Sequence, residues 1–182
     1  MVLADLVETQ LHELAMGRAI FQIQIREKPV TIDGTDDVEF FFTANAGEYP
    51  KPLGKIASGG EISRVMLAIK SALAGRAGVP TLVFDEVDTG MGGRTAATVG
   101  KKLAELGRFR QVLVISHLPQ VASQAARHFR IEKVERNGRV VTEVRPLDGQ
   151  ERIEEIARML AGERLTPAAL ENARQMIEEG TA

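Results

Sequence analysis

Leu3, Leu6, Val7, Leu11 and Leu14 recur at helical steps, with Asp5, Glu8, Gln10 and Glu13 between them. That period predicts a helix over residues 3–16, stopped near Gly17. A packing helix of the same domain and the end of a longer coiled coil both fit, because one or two heptads do not separate them. Next, Phe21 to Ile25 alternates strictly and predicts a half-buried strand. A second strand follows over residues 38–43, with Val38, Phe40 and Phe42 on one face. The turn-rich residues 31–37 between them predict a hairpin. Residues 44–56 carry Gly47, Pro50, Pro52 and Gly54 and predict a loop.

The pattern then changes. Ile62, Val65, Met66, Ile69 and Leu73 mark the buried stripe of a helix over residues 59–74, closed by Gly75 and Gly78. Residues 79–84 and 111–115 are continuous apolar runs, the kind expected of parallel strands buried on both faces. A helix over 93–106 separates them. A short helix over 119–127 starts with Pro119 at its tolerated first position. Residues 129–135 and 139–145 flank Asn137-Gly138, a strong hairpin-turn pair. Helices over 150–161 and 167–178 close the chain, the second capped by Thr166 ahead of Pro167. Strand, helix, strand, helix in the middle predicts an α/β fold with a parallel sheet and right-handed crossovers.

Composition narrows this little. The 182 residues are 44% hydrophobic but only 4% aromatic, without Trp, so the core must be aliphatic. The net charge of −2 gives no global sign of nucleic-acid binding. There is no Cys, hence no disulfide and no thiolate metal site. No apolar run approaches membrane-spanning length, and Asp5 and Glu8 stand where a signal peptide would carry basic residues. The expectation is a cytoplasmic protein with no membrane partner.

Four places can carry chemistry. Ser58-Gly-Gly-Glu61 is a capping box at a helix start, sufficient in itself as structure. Gly59 and Gly60 are nevertheless poor helix formers, and they make sense if the backbone must come close to something. Bare N–H groups there could hold a phosphate, so the structural and functional readings stand level. Asp85-Glu86 ends an apolar strand, where ligands bind in open α/β sheets. The two acids point to opposite sides, so one can hold Mg²⁺ and the other can deprotonate a water. Asp88-Thr-Gly-Met-Gly-Gly93 is alone only a flexible turn. His117 follows the second buried strand, at the same expected sheet edge, where it could hydrogen-bond a terminal phosphate. His12 and His128 have no such setting. The P-loop pattern GxxxxGK[ST] is absent, since Gly54-Lys55 is followed by Ile56 and Gly100-Lys101 by Lys102. The late hairpin is basic, but Glu132, Glu135 and Glu143 interleave, as in a solvated strand pair.

These motifs, in this order, resemble the C-terminal half of an ABC-type ATPase head. Ser58-Gly-Gly-Glu61 resembles the signature and Leu82-Val-Phe-Asp-Glu86 the Walker B strand. Asp88 resembles the D-loop aspartate and His117 the switch histidine. The wider wording, Ala57 to Lys70, Phe84 to Gly90 and Ile115 to Ala122, is similar to an SMC-related family of bacterial recombinational DNA repair.

The resemblance implies a head split in sequence, with the P-loop half before a long coiled coil and this half after it. Residues 1–18 would end the coil and 19–182 would form the C-terminal half-head. ATP and Mg²⁺ would be the cofactors, with Asp85 on the metal and Glu86 and His117 catalytic. Ser58, Gly59, Gly60, Glu61 and Asp88 would contact nucleotide, the signature in trans across two paired heads. The partners would be the P-loop half, a second head and, for the full-length protein, DNA, in a nucleoid-associated setting. Without a P-loop, and without a glutamine loop, this chain alone is expected to be inactive. A transporter nucleotide-binding domain is the alternative, but Glu61 and Val87-Asp-Thr-Gly90 argue against it. A non-catalytic module of the same fold is another, against which the Asp85-Glu86 pair speaks.

Overall fold

Val7, Leu11 and Leu14 are buried where the opening helix α1 (Val2–Glu13) packs along α2 (Gly59–Ala72) and against β1 (Ile20–Thr31). The computed structural model describes residues 2–76, 78–136 and 138–181, the side chain of Thr181 excepted. The chain divides into two units, Met1–Ile115 and Ser116–Ala182.

In the first unit, the Glu8 carboxylate accepts the Phe21 N–H at 2.8 Å and fixes β1 to α1. β1 pairs antiparallel with β2 (Gly34–Thr43), placing Phe21 opposite Phe42, Ile23 opposite Phe40 and Ile25 opposite Val38. Burial is complete at Phe21 and Phe42 but lost at Ile25 and Val38, so the hairpin leaves the core as it rises. Both strands run further than their alternation predicts. Thr31 pairs with Gly34, and the turn shrinks to two residues, with Gly34 at φ 102°. The expected loop holds a two-residue edge strand β3 (Lys51–Pro52) and a short 3₁₀ turn (Leu53–Lys55). Pro is tolerated there because an edge strand has a free side.

β4 (Thr81–Phe84) and β5 (Gln111–Val114) pair in parallel, Thr81 opposite Gln111 through Phe84 opposite Val114, joined by the crossover helix α3 (Gly93–Gly107). The expected burial on both faces is not what the structure shows. Leu82 and Phe84 are buried, but Val83 is 64% and Leu113 47% exposed. A continuous apolar run equips both faces of a strand for burial. Here only one face is covered, and the other is open. The expected stripe of α2 is likewise incomplete. Val65, Leu67, Ala68 and Ile69 are buried while Ile62, Met66 and Leu73 are half-buried, because α2 packs on more than one side.

In the second unit, α4 (Pro119–Ala122) is shorter than expected. Arg152 donates to the Ser123 carbonyl at 3.0 Å and the Ala125 carbonyl at 2.6 Å, acceptors a continuing helix would need. β6 (His128–Arg136) and β7 (Arg139–Leu147) form a hairpin whose last pair is Arg136–Arg139. Gly138 has φ 73°, as a tight turn requires. The expected turn partner Asn137 lies outside the described residues. α5 (Gly149–Ala161) and α6 (Pro167–Thr181) close around Ile156, Ala157 and Ala173. Thr166 caps α6 by accepting the Ala169 N–H at 3.2 Å.

The hairpin is largely exposed, as its alternating charges suggest, and those charges are paired. Arg130 reaches Glu132 at 3.0 Å and Glu155 at 3.4 Å, and Arg145 reaches Glu151 at 2.9 Å. Glu155 on α5 is buried and also binds Arg158 at 2.6 Å. The Arg158 hydrogen bonds hold the Glu155 carboxyl below its ordinary range, against the effect of burial. Burial, with Arg152 adding to it, pushes the half-buried His128 down. A packing role suits that histidine, whose Nδ1 is buried without a hydrogen-bond partner.

Candidate functional site

α2 begins where the capping box predicts. Ser58 is in extended backbone, φ −89° and ψ 113°, and its Oγ accepts the Glu61 N–H at 3.3 Å. Such a cap stabilises a helix by about 1 kcal/mol. Immediately beside it runs the turn that follows β4. The Thr89 N–H returns to the Glu86 carbonyl at 3.1 Å, and the Met91 N–H to the Asp88 carbonyl at 3.3 Å. Glu86 sits at φ 57°, in the left-handed region that a side chain with Cβ rarely adopts. Backbone outliers of this kind cluster where the surrounding structure holds them for a task.

Two side chains of α2 hold that turn. Ser63 Oγ donates to the Asp85 carbonyl at 2.7 Å, and Arg64 donates to the Thr89 carbonyl at 3.2 Å. Burial keeps the Arg64 guanidinium below its ordinary value, with Glu61 acting in the opposite sense. Neither Ser63 nor Arg64 was singled out from the sequence. The available signal was a polar pair inside the otherwise apolar stretch Ile62 to Leu67.

The same geometry explains the two glycines. A Cβ at Gly59 would lie 2.5 Å from Glu86 Oε2. One at Gly60 would lie 3.3 Å from the Glu86 carbonyl oxygen, 3.3 Å from Thr89 Cβ and 3.2 Å from an Arg64 nitrogen. The close approach that their presence suggested is therefore to the chain's own Glu86–Thr89 turn. The neighbours differ in kind. Glu86 Oε2 ends a flexible exposed side chain, whereas the Glu86 carbonyl is fixed backbone. Gly59→Ala should therefore move the carboxylate and leave the melting temperature near its starting value. Gly60→Ala should lower it, by the equivalent of about 1–2 kcal/mol of overpacking, partly offset by better helix propensity. Thermal melting of the two variants side by side checks this; equal melting temperatures would contradict it.

The structure thus brings Ser58, Gly59, Gly60 and Glu61 into one place with Asp85, Glu86 and Asp88. Asp85 and Glu86 are exposed to solvent at the C-terminal end of β4. Asp88 is only 1% exposed, and Val87 beside it is fully buried. His117 is exposed and belongs to the second unit, next to Ser116, whose Oγ accepts the Leu118 N–H at 3.0 Å. Among the described residues no group of three or more His, Cys, Asp or Glu side chains is arranged to hold a metal. A single strand-end carboxylate is still the usual protein share of a Mg²⁺ site, whose other ligands are waters and phosphates.

Over its whole length the chain is 46% identical to 187 residues of the DNA repair protein RecN of Halalkalibacterium halodurans, 33% of that protein. The chain is a RecN-like segment. RecN of Deinococcus radiodurans is 46% identical over 177 residues, 96% of this chain and 31% of that protein. RecN of Rickettsia conorii is 42% identical over 175 residues, 96% of this chain and 32% of that protein. The chain thus spans about a third of the length of the RecN proteins it matches. No protein-family model matches it.

Among solved structures, the Smc head domain with coiled coil and joint from Pyrococcus yayanosii superposes with TM-score 0.60 at 20% identity, covering 99% of this chain and 29% of that one. An SMC ATPase chain from work on ATP-driven dimerization and DNA-stimulated activation gives TM-score 0.52 at 18% identity, covering 89% of this chain and 93% of that one. At these identities the likeness is one of fold. The architecture is α/β, that of the C-terminal lobe of an SMC-type head. No helix among the described residues is long and apolar enough to cross a membrane.

Proposed function

We propose that this RecN-like segment is the C-terminal half of an ATPase head in a protein of recombinational DNA double-strand break repair. One observation carries the reading. The Ser58-capped start of α2 and the Asp85-Glu86 end of β4 are held side by side by the Ser63 and Arg64 hydrogen bonds. A lone helix cap or a lone acidic strand end would be ordinary. Their junction places an anion-accepting helix start beside two solvent-facing carboxylates. The similarity to RecN over the whole chain supports the same reading.

In this proposal Asp85 is the carboxylate available to Mg²⁺, and Glu86 is the base that orients and deprotonates the attacking water. Bound Mg²⁺–ATP would supply the electrophilic phosphorus and neutralise its oxygens. The Ser58 hydroxyl and the first N–H groups of α2 face anionic oxygen, presented by a second head. Asp88, buried in the turn after Glu86, is the D-loop aspartate of the nucleotide site formed by paired heads. His117 contributes a hydrogen bond to the terminal phosphate. Residues 1–18 end a coiled coil and 19–182 form the half-head. The full-length protein of which the segment is part would act in the cytoplasm, on DNA.

The open face of β4 and β5, with Val83 and Leu113 exposed, is where a complementary half carrying a P-loop completes the sheet's cover. The chain alone lacks a phosphate cradle, so it should hydrolyse ATP negligibly. Mixing it with a P-loop-bearing half of a RecN protein should restore hydrolysis, read as phosphate release. Substantial turnover by the chain alone, or none by a mixture in which the halves bind each other, would defeat the reading.

A further inference from the structure

At the opposite ends of β4 and β5 from the carboxylates lies an open cavity of about 560 Å³. Its wall residues include Gly75, Gly78, Phe109 and Arg110, from the turns that follow α2 and α3. Gly75, at φ 79°, lies under the Phe109 ring, where a Cβ would come 3.8 Å from Cε1. Gly78 lies against the Arg110 guanidinium, where a Cβ would come 3.2 Å from both terminal nitrogens. Arg110 is anchored there, donating to the Val79 carbonyl at 2.6 Å and to the Arg76 carbonyl. The cavity is thus framed by a planar ring and a planar cation, each backed by glycine.

Charge points the same way. The ionisable side chains lining the cavity are Arg76 and Arg110, with no carboxylate among the described lining residues. Arg108 stands exposed beside Phe109. Cations after helix C-termini are favoured by the helix dipole alone, which accounts for Arg76 and Arg108. It does not account for Phe109, whose ring is 60% exposed in a chain with very few aromatics.

We infer that this cleft binds single-stranded nucleic acid, one base stacking on Phe109 or Arg110 and the adjoining phosphates meeting Arg76 and Arg108. Aromatic and guanidinium planes in a basic groove are the general means of holding unpaired bases without sequence preference. An acidic peptide would match the charge but would leave the exposed ring unused. The site is remote from the helix start and the carboxylates of the proposed ATPase centre. It needs no nucleotide, so its test and that of the ATPase reading fail separately.

The test is fluorescence anisotropy of a labelled oligothymidylate titrated with the chain at low salt. Binding is expected, and it should weaken steeply between about 50 and about 200 mM salt. Phe109→Ala should weaken it about tenfold or more. Arg76→Glu with Arg108→Glu should weaken it further and flatten the salt dependence. All three positions are exposed, and a thermal melt of each variant confirms the fold. An oligouridylate arm tells whether DNA and RNA are held alike, and either result fits stacking. Three outcomes would overturn the inference. They are no binding at low salt, unchanged binding by folded Phe109→Ala, and displacement of the oligonucleotide by polyglutamate as readily as by unlabelled oligothymidylate.

Discussion

Glu86→Gln, combined with the P-loop-bearing half, should hydrolyse ATP at least about 10²-fold more slowly than the unmodified pair, the usual scale for a positioned general base. Glu86 is held in the left-handed region by the returning Thr89 N–H and by the Ser63 and Arg64 contacts to Asp85 and Thr89. The Cα–Cβ bond therefore leaves the turn in a set direction, and the mobile carboxylate at its end lies beside Gly59. Glutamine keeps the size and the hydrogen-bonding reach but cannot take a proton. Nucleotide binding should persist in the variant, and paired heads should accumulate because turnover no longer releases them. Phosphate release, with sedimentation in the presence of ATP, separates these effects. Unchanged turnover would remove Glu86 from the role of base.

Ser58→Arg should abolish ATP-dependent pairing of heads while the fold survives. Ser58 is exposed and its hydroxyl serves the Glu61 N–H, so losing the cap costs only about 1 kcal/mol. The consequence for pairing is much larger. A long cation would fill the space in front of the first N–H groups of α2, where the reading puts phosphate oxygens from the opposite head. The measurement is the fraction of paired heads in the presence of ATP, with a thermal melt as control. Heads that pair as before would show that the α2 start does not meet a nucleotide.

Much of this was legible in the residues. The capping box fixed the start of α2, since Ser58 and Glu61 have the spacing that one hydrogen bond requires. The alternation of Phe21 to Ile25 placed β1. The apolar runs placed β4 and β5 and their parallel pairing. What the runs could not tell was whether both faces would be covered, because Val83 and Leu113 suit burial whether or not anything lies over them. The length of α4 was equally hidden. It is set by Arg152, far along the chain, which takes the carbonyls of Ser123 and Ala125. At the site, the motifs gave Asp85, Glu86 and the glycines. They did not give Ser63 and Arg64, whose work is to donate to backbone carbonyls of another segment. Nor did they show that the glycines make room for Glu86 and Thr89, since that depends on a contact distant in sequence.

The ladder between β6 and β7 sets Arg130 across from Arg145 and Glu132 across from Glu143. Like charges directly opposite are unfavourable in an antiparallel pair. Sliding one strand by two residues would set Arg130 across from Glu143, or Glu132 across from Arg145, and would keep the same faces inward. In the observed alignment that cost is offset within the ribbon itself, because Arg145 also lies 3.9 Å from Glu132 and Arg136 pairs with Glu143. The tight turn at Gly138 fixes that alignment, and Glu155 and Glu151 of α5 add to it by drawing Arg130 and Arg145 to the helix. A slip of the ladder would therefore break the turn and release both arginines from α5 at once, so the helix adds a penalty against misaligned rungs.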